Sequence, residues 1–332
     1  MKTARYYGIE DIRYEELPVP NCGEKDVLIK VAYAGICGSD LHIYKKGMFI
    51  QNIPETMGHE FSGTVIKTGS KVHSLQAGDR VTANPMVTCG NCIACRTERR
   101  GSCETLGFIG EVRPGCFAEY IALPQEDVIK APPDIDLKKL ALAEPLAVAL
   151  NICRQAKPAP TDKVLIVGPG PIGLLTALAL KNVCGLENPT ILGRSPARLS
   201  IAKALGMKTT TQLGDDSYFD LIIEAAGNET ALSTAVAHAL PGGKICVVSI
   251  FEDDFIFDIN TIVAKQLSII GCNVYETRHI QESTKLLADG IIDPSPLVTD
   301  TYDLADCREA FAALCSKDKK ACKILFQMED IK

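Results

Sequence analysis

Apolar residues follow different patterns in the two halves of the chain. Before about residue 140, short β-branched runs end at glycine turns, and no long helical period is present. These runs predict strands at 27–31, 61–68 and 80–83. Gly63, inside the second run, indicates a bulge or a close backbone approach. The first half is therefore predicted to form a small β-barrel.

In the second half, apolar runs without alternation are separated by helix-forming stretches, which is typical of a doubly wound parallel sheet. The stretch 206–219 is too short for both a strand and a full helix, so we expect a trimmed sheet edge or a missing helix there. Strands are predicted at 163–167, 190–192, 221–225, 244–249 and 267–271, with helices at 197–205 and 229–240. Two further helical stretches and a final strand end the chain.

The stretch 31–63 carries residues with metal-binding and proton-transfer chemistry. Cys37 and His59 offer a thiolate and an imidazole of the kind that bind zinc, and Glu60 follows directly. Ser39 and His42 lie between them and suit proton transfer. The alternative is a buried structural cysteine with two incidental histidines.

Four cysteines follow with the spacing C-x2-C-x2-C-x7-C: Cys89, Cys92, Cys95 and Cys103. Four thiolates so close together can close a tetrahedral shell around one zinc ion and leave no position open for substrate. An iron–sulfur site and chance clustering are the rival interpretations. Because a bacterial-type iron–sulfur motif would place its last cysteine nearer and before a proline, the spacing favours structural zinc.

A glycine motif follows the predicted strand at 163–167 and opens a helix-forming stretch. Its residues are Gly168, Gly170, Pro171, Ile172 and Gly173, in the pattern G-x-G-x-x-G. Strand before and helix after is the context that makes this motif informative for dinucleotide binding. The pyrophosphate would then lie at the helix N-terminus. A glycine-rich turn without a ligand is the alternative.

Composition and charge exclude several classes of protein. The net charge of −6 is mild, and no basic block indicates nucleic acid or a membrane surface as a partner. No apolar run approaches the ~20 residues that span a bilayer. Fourteen cysteines without an apolar leader segment favour metal binding and reduced thiols over disulfides. We therefore expect a cytoplasmic protein.

Several motifs together resemble the zinc-dependent medium-chain dehydrogenases, in the sorbitol and polyol (ketose reductase-like) branch. They are GICGSDLHIY, MGHEFSG, the four-cysteine segment, GCFAEY at 115–120 and AEPLAVAL at 143–150. The resemblance covers nearly the whole chain. It implies an α/β protein with a GroES-like catalytic domain at 1–149 and 277–332, and a Rossmann domain at 150–276.

The resemblance also implies roles for single residues. Cys37 and His59 would bind a catalytic zinc, and Glu60 or Glu144 would supply a carboxylate, the choice remaining open. A glutamate stands at 144, where the classical alcohol dehydrogenases carry a cysteine. The proton would leave through Ser39, the cofactor ribose and His42. Approximate alignment adds three residues for the substrate pocket: Tyr44, Phe108 and Asn273.

The turn after the second Rossmann strand predicts which dinucleotide binds. NAD-binding sheets place an acidic residue there, about 20 residues past the glycine motif, to bind the ribose 2′-hydroxyl. Here the strand ends at Gly193, followed by Arg194 and Ser195, with Arg198 on the next helix. Arginine can pair with a 2′-phosphate, and serine can donate to it. The turn therefore predicts NADP(H) in preference to NAD(H), and a solvated basic turn is the alternative.

The function expected is hydride transfer between a secondary alcohol, of the polyol or sugar-derivative class, and NADP(H), or the reverse reduction of a ketone. Two zinc ions per chain are expected, one catalytic and one structural. A dehydrogenase of cyclitols, aminocyclitols or sugar acids is the alternative among enzymes, and a cofactor-binding sensor is the alternative outside them. The resemblance further implies a homodimer or homotetramer.

Overall fold

The computed structural model describes residues 1–187, 189–316 and 318–328. The chain forms two compact units. The first comprises Met1–Glu144, Tyr275–Lys317 and Lys323–Lys332, and the second comprises Pro145–Val274 and Asp318–Cys322. The domain limits expected from the sequence differ from these by a few residues and by the short segment near the C-terminus.

Antiparallel sheets dominate the first unit. Its N-terminal strands are β1 (Lys2–Gly8), β2 (Asp11–Glu16), β3 (Asp26–Gly35), β4 (Glu55–Thr56), β5 (Glu60–Thr68), β6 (Arg80–Ala83), β7 (Met86–Val87), β8 (Gly107–Phe108), β9 (Tyr120–Pro124) and β10 (Val128–Lys130). Short helices connect them: α1 (Gly38–Lys46), α2 (Ile93–Arg96) and α3 (Leu137–Leu140). A 3₁₀ turn covers Arg100–Ser102.

The second unit begins within helix α4 (Ala143–Ala156) and contains six parallel strands. They are β11 (Val164–Val167), β12 (Thr190–Leu192), β13 (Lys208–Thr210), β14 (Phe219–Glu224), β15 (Ala239–Val247) and β16 (Ser268–Gly271). Helices α5 (Pro171–Asn182), α6 (Pro196–Ala204), α7 (Glu229–His238) and α8 (Ile259–Lys265) lie between them.

The last elements belong to the first unit. They are helix α9 (Thr277–Ala288), strand β17 (Val298–Asp303), helix α10 (Cys307–Cys315) and strand β18 (Lys323–Gln327), with 3₁₀ turns at Ser295–Leu297 and Leu304–Asp306. Strand β18 pairs with β3, so the end of the chain completes the sheet that its beginning starts. Among the described residues, no helix combines the length and apolar character needed to cross a membrane.

Strand β3 is the centre of the first unit. It pairs with β5, β9 and β18 in a seven-stranded sheet, in the order β10-β6-β5-β3-β18-β17 with β9 also on β3. The β3–β5 register shifts opposite Gly63, where a Cβ would overlap the carbonyl oxygen of Lys30. Both features predicted for this glycine, a bulge and a close backbone approach, are present.

The six parallel strands of the second unit follow the order β13-β12-β11-β14-β15-β16. This is the Rossmann order 3-2-1-4-5-6, with its reversal between β11 and β14. Apart from Phe219, which begins β14, the stretch 206–219 contributes only the three-residue edge strand β13, and no helix lies between β13 and β14 in this described part of the chain. The predicted fold class, a GroES-like β domain with a Rossmann sheet, is confirmed.

Several elements were not predicted, among them strands β1, β2, β9 and β10 and helix α1. The nine-residue helix α1 lies in the half of the chain where the sequence shows no long helical period. It buries only Asp40 and Ile43, so its apolar stripe is too narrow to read from the sequence. Gly47 ends the helix in the left-handed conformation, at φ 66°, which glycine adopts without a steric penalty.

Candidate functional site

Three potential metal ligands meet in the first unit where α1 and β5 begin. One ligand atom from each of Cys37, His59 and Glu60 lies within 4.8 Å of the other two. Pairing of β3 with β5 places Gly35 opposite Glu60, and the chain then turns from Gly35 to Cys37. The backbone N–H of Cys37 donates to Asp40 Oδ2 at 2.8 Å, which closes the first turn of α1.

Buried carboxylates surround this group of ligands. Asp40, Glu60, Glu111 and Glu144 are each at most 6% exposed. Burial raises the pKa of Asp40 above its usual range and raises the pKa of Glu111 and of Glu144 to about 7. Neighbouring carboxylates add to these shifts, Asp40 acting on Glu111 and Glu60 on Glu144. Four buried carboxyl groups at one place favour a bound cation, because a nearby positive charge stabilises their ionised form.

His59 is the ligand whose pKa these neighbouring acidic groups change most clearly. Burial alone lowers its pKa, but Asp40 and Cys37 outweigh burial and raise the pKa well above its ordinary value. Its Nδ1 lies 3.8 Å from Asp40 Oδ1, and neither atom has a hydrogen-bond partner in the described part of the chain. Unpaired buried polar atoms are costly, and a metal ion would satisfy a ligating histidine of this kind.

Lys323 is a buried cation beside the ligands. Only 1% of its side chain is exposed, its Nζ forms an ion pair with Glu60 Oε2, and it donates to the carbonyl oxygen of Ile36 at 2.9 Å. Burial lowers the pKa of Lys323, but Glu60 and Cys37 outweigh this and raise it. A Cβ on Gly35 would overlap Glu60 Oε2, so glycine at the end of β3 leaves room for the pair.

A thiol, an imidazole and a carboxylate at this spacing are a donor set that fits zinc with a fourth position left open. Glu144 is not in the group of ligand atoms; it lies near Tyr275, whose side chain lowers the pKa of Glu144 against the larger effect of burial. Of the two glutamates that the sequence left as alternatives, Glu60 is the one whose carboxylate lies within 4.8 Å of the other two ligand atoms.

The remaining predicted residues fall in different surroundings. Ser39 and His42 are three residues apart on α1, hence on one face of the helix. The ring of Phe108 lies 5.7 Å from that of His59, whereas Tyr44 packs against Phe311 with ring centroids 5.0 Å apart. Asn273 belongs to the second unit, where its carbonyl accepts from Asn151.

Sequence reasoning missed four residues at this site: Asp40, Glu111, Tyr275 and Lys323. Asp40 stands within the same motif as Ser39, but nothing in the sequence indicates that its carboxylate is buried. Lys323 opens an apolar final strand, where nothing in the sequence indicates a buried charge. Only the contact with Glu60, which is distant along the chain, reveals it.

The four cysteines at 89–103 also come together. The Sγ–Sγ distances are 3.9 Å for Cys89–Cys95, 3.9 Å for Cys92–Cys103 and 3.6 Å for Cys89–Cys103. A tetrahedron with Zn–S bonds of ~2.3 Å has edges of ~3.8 Å. Three of the six Sγ–Sγ distances thus match this edge, and all four sulfur atoms lie within 4.8 Å of one another.

The protonation of these thiols is uneven. A hydrogen bond from the backbone N–H of Cys89 lowers the pKa of Cys103 to about 6, while burial and the neighbouring sulfurs raise the pKa of Cys95 to about 11. Thiolates packed this closely repel one another. A divalent cation that neutralises them would allow all four to ionise.

In the second unit, the glycine motif lies at the carboxyl end of β11, where the strand order reverses. Gly168 has φ 116°, and a Cβ there would come within 2.6 Å of the carbonyl oxygen of Ala225. A Cβ on Gly173 would overlap the oxygen of Gly168. Gly170, the N-cap of α5, has open space where its Cβ would stand. These features fit a pyrophosphate at the N-terminus of α5.

The turn after β12 carries the residues predicted to choose the dinucleotide. A Cβ on Gly193 would lie 2.5 Å from Pro169 Cδ and Cγ. Arg194 is exposed. Ser195 caps α6, accepting from the N–H of Arg198 at 3.3 Å and donating to the carbonyl oxygen of Lys319 at 2.9 Å. Its single hydroxyl hydrogen is thus already used.

Arg198 is also engaged by the main chain. Its Nε and Nη2 donate to the carbonyl oxygen of Ala321 at 2.9 and 2.6 Å. The expected contact of Arg198 with a 2′-phosphate therefore competes with an existing bidentate bond. Arg194 is the arginine of the turn that remains exposed for this role.

Comparison with known proteins agrees with both halves of this geometry. Residues 23–133 match the model of the alcohol dehydrogenase GroES-like domain, and residues 171–289 match that of the zinc-binding dehydrogenases. The chain is 31% identical over 342 aligned residues to sorbitol dehydrogenase of Bacillus subtilis strain 168, covering 98% of this chain and 96% of the relative. The chain belongs to the zinc-dependent medium-chain dehydrogenases. It is an oxidoreductase.

Two solved dehydrogenases of similar structure differ in the nucleotide they hold. The alcohol dehydrogenase rspB of Escherichia coli CFT073, complexed with NADH, has a TM-score of 0.90 and 30% identity, covering 98% of this chain and 99% of that one. A zinc-binding dehydrogenase of Sinorhizobium meliloti 1021, bound to NADP, has a TM-score of 0.91 and 27% identity, covering 98% of each chain. Similarity to these two dehydrogenases leaves the choice of dinucleotide to the residues of this chain.

Proposed function

We propose that this dehydrogenase oxidises a secondary alcohol of the polyol or sugar-derivative class, or reduces the corresponding ketone, with NADP(H) as its preferred dinucleotide. The observation that carries the reaction class is the group of Cys37, His59 and Glu60, which leaves one position open for a substrate oxygen. Similarity to a sorbitol dehydrogenase supports the substrate class.

Cys37, His59 and Glu60 would hold the catalytic zinc ion in this proposal. When bound, zinc supplies a Lewis acid that stabilises negative charge on the substrate oxygen, and the nicotinamide supplies the hydride acceptor. Lys323 holds the Glu60 carboxylate through a buried ion pair and so orients it towards the other two ligands. Glu144, which lies near Tyr275, would act next to the ligands rather than as one of them.

The proton of the substrate hydroxyl must leave a buried site. Ser39 and His42, three residues apart on α1, can pass it along one face of the helix towards solvent, because both are only partly buried. Phe108, next to His59, would form an apolar wall that excludes water from the reacting atoms.

The preference for NADP(H) rests on Gly193 and Arg194. No carboxylate stands at position 193 to repel a 2′-phosphate, and a side chain there would strike Pro169. Arg194 is exposed directly after it and can form a bidentate pair with phosphate. Four thiolates of the cysteine group would hold the structural zinc.

A substrate panel tests the proposed reaction. Purified enzyme is assayed with sorbitol, xylitol, butanediol, threonine and a sugar acid, each with NAD and with NADP, at the absorbance band of the reduced nicotinamide. We expect turnover with a polyol and a higher kcat/KM with NADP. An enzyme that oxidises only the sugar acid would contradict the substrate class, and complete inactivity would favour a sensor.

An Arg194→Ala variant tests the cofactor preference on the best substrate. It should lose most of the NADP preference while its kcat/KM with NAD changes little, because only the phosphate contact is removed. Lys208→Ala is a matched control: it removes a positive charge at the amino end of β13, opposite the start of β12, whereas the turn follows the carboxyl end of β12. Equal or better kcat/KM of the wild-type enzyme with NAD would contradict the proposed preference.

We also propose that the enzyme is a homodimer or homotetramer, as the family resemblance implies. Light scattering at micromolar concentration checks this, and a monomer mass would count against it. The cytoplasmic location expected from the sequence remains a prediction.

A further inference from the structure

The short segment Asp318–Cys322 belongs to the second unit although the chain on both sides of it belongs to the first. Two residues at the start of α6 hold it there. Ser195 Oγ donates to the carbonyl oxygen of Lys319, and the Arg198 guanidinium donates twice to that of Ala321. All three bonds end on backbone oxygens, so they fix the path of the segment's main chain whatever its side chains are.

This segment brings two lysines to the dinucleotide turn. Lys319 and Lys320 are both exposed, and the backbone carbonyl of Lys319 lies 2.9 Å from the hydroxyl of Ser195, the neighbour of Arg194. A lysine side chain has a flexible four-carbon stem that carries its ammonium group up to ~6 Å from its Cα. Lys319 has φ 44°, a left-handed conformation that turns the chain sharply at this point.

The charges of the segment favour an anion beside the turn. Lys320 Nζ lies 3.9 Å from Asp318 Oδ2, with 82% and 71% of the two side chains exposed. An exposed pair at this distance holds its members weakly, so Lys320 can exchange Asp318 for a stronger anion. Together with Arg194, two lysines would surround a phosphate that carries nearly two negative charges.

We propose that Lys319 and Lys320 complete the binding site for the 2′-phosphate of NADP(H), on the side of the turn opposite the sheet, and that Ser195 and Arg198 are positioning residues that hold the lysines there. This inference rests on the proposed preference for NADP(H) and adds a second cationic element to it. It also gives a role to the two hydrogen bonds that Arg198 donates to the carbonyl oxygen of Ala321, close to the predicted phosphate site.

Fluorescence titration of the full-length protein with NADPH and with NADH tests the role of the lysines. Lys319→Ala/Lys320→Ala should weaken NADPH binding about tenfold, equal to ~1.4 kcal/mol, and change the Kd of NADH less than about twofold. The loss should shrink at 1 M salt, where the Debye length is ~3 Å. Lys208→Ala is the control and should bind NADPH like the wild-type protein. Should the double variant not fold, Lys319→Gln and Lys320→Gln replace it.

A double-mutant cycle tests the positioning role. If Arg198 acts through the segment, the lysine substitutions should cost much less NADPH affinity in an Arg198→Gln background than in the wild-type background. Additive losses would show that Arg198 binds phosphate by itself and would overturn its positioning role.

The outcomes separate this inference from the proposed function. Wild-type protein that binds NADPH no more tightly than NADH overturns the cofactor preference and the lysine site with it. Wild-type protein that prefers NADPH, together with a lysine variant that keeps the full preference, overturns the lysine site alone. A tenfold loss confined to NADPH supports both.

Discussion

Two groups of potential zinc ligands in the first unit differ in how the chain builds them. The four cysteines come from residues 89–103, a single loop that contains the four-residue helix α2 and a 3₁₀ turn. Cys37, His59 and Glu60 come from the start of α1 and the start of β5, and their surroundings include Glu144 and Lys323 from far along the chain. We therefore call the four-cysteine group the local site. The group of Cys37, His59 and Glu60 is the assembled site, because it forms only in the finished fold.

The two groups also differ in their ligand atoms and in their surroundings. The cysteine group offers sulfur alone, with Sγ–Sγ distances of 3.6–3.9 Å that match a closed tetrahedron. The other group mixes sulfur, nitrogen and oxygen and lies among buried carboxylates whose pKa values burial raises. The cysteine group therefore suits stability, while the group of Cys37, His59 and Glu60 suits a reaction in which charge develops.

His59→Ala should have the largest effect on activity. Removing this ligand should lower kcat/KM by at least ~10³-fold, because zinc contributes several kcal/mol of charge stabilisation and ~1.4 kcal/mol is tenfold. The protein should stay folded and should bind NADPH with unchanged affinity, measured by circular dichroism and fluorescence titration. Retained turnover would show that the assembled group is not the reaction site.

Cys92→Ser should have the largest effect on stability. Loss of the closed sulfur shell should lower the free energy of unfolding by at least about 4 kcal/mol, because loss of a metal is one of the few changes with effects this large. Chemical denaturation measures the change. Cys22→Ser, a cysteine outside both groups, should change stability by less than ~0.5 kcal/mol. Similar effects of the two substitutions would show that the four-cysteine group contributes no more to stability than a cysteine outside it.

Glu111→Gln should have a smaller effect than Cys92→Ser. It should show how much a buried, ionised carboxylate lowers the free energy of unfolding. Burial raises the pKa of Glu111 to about 7 in the folded protein, so the folded state binds the proton more tightly than the unfolded state. Stability is therefore lost as pH rises from ~4.3 through 7, and the variant should gain about 2 kcal/mol at pH 8 with no gain at pH 4. Denaturant titrations at both pH values check this.

The matched control for this prediction is Glu126→Gln, which replaces an exposed carboxyl. Zinc in the assembled site would favour ionised Glu111, so the gain at pH 8 should be larger after the metal is removed by a chelator. A gain that is equal at both pH values would show that packing, rather than charge, causes the effect.

The parts of the fold that follow from local pattern could be predicted from the sequence. Continuous apolar runs locate β11 and β14, the motif from Gly168 to Gly173 locates the turn between β11 and α5, and the short spacing after Leu205 correctly indicates a trimmed edge. The spacing of the four cysteines is equally local. In each case, the residues that carry the prediction are neighbours in sequence as well as in space.

Features that depend on contacts between distant segments could not be predicted. Lys323 looks like the polar start of a strand until β18 pairs with β3 and brings it to Glu60. Ser195 and Arg198 look like phosphate ligands, because nothing in the sequence shows that a segment more than 120 residues later accepts their hydrogen bonds. Sequence patterns identify donors, but the fold decides what they bind.

Metal analysis shows whether one chain binds zinc at two chemically different sites. Freshly purified, active enzyme is analysed by inductively coupled plasma mass spectrometry, alongside His59→Ala and Cys92→Ser. We predict two zinc ions per wild-type chain and one per chain of each variant that stays folded. One zinc ion or none in active wild-type enzyme would show that at least one of the two sites does not bind zinc.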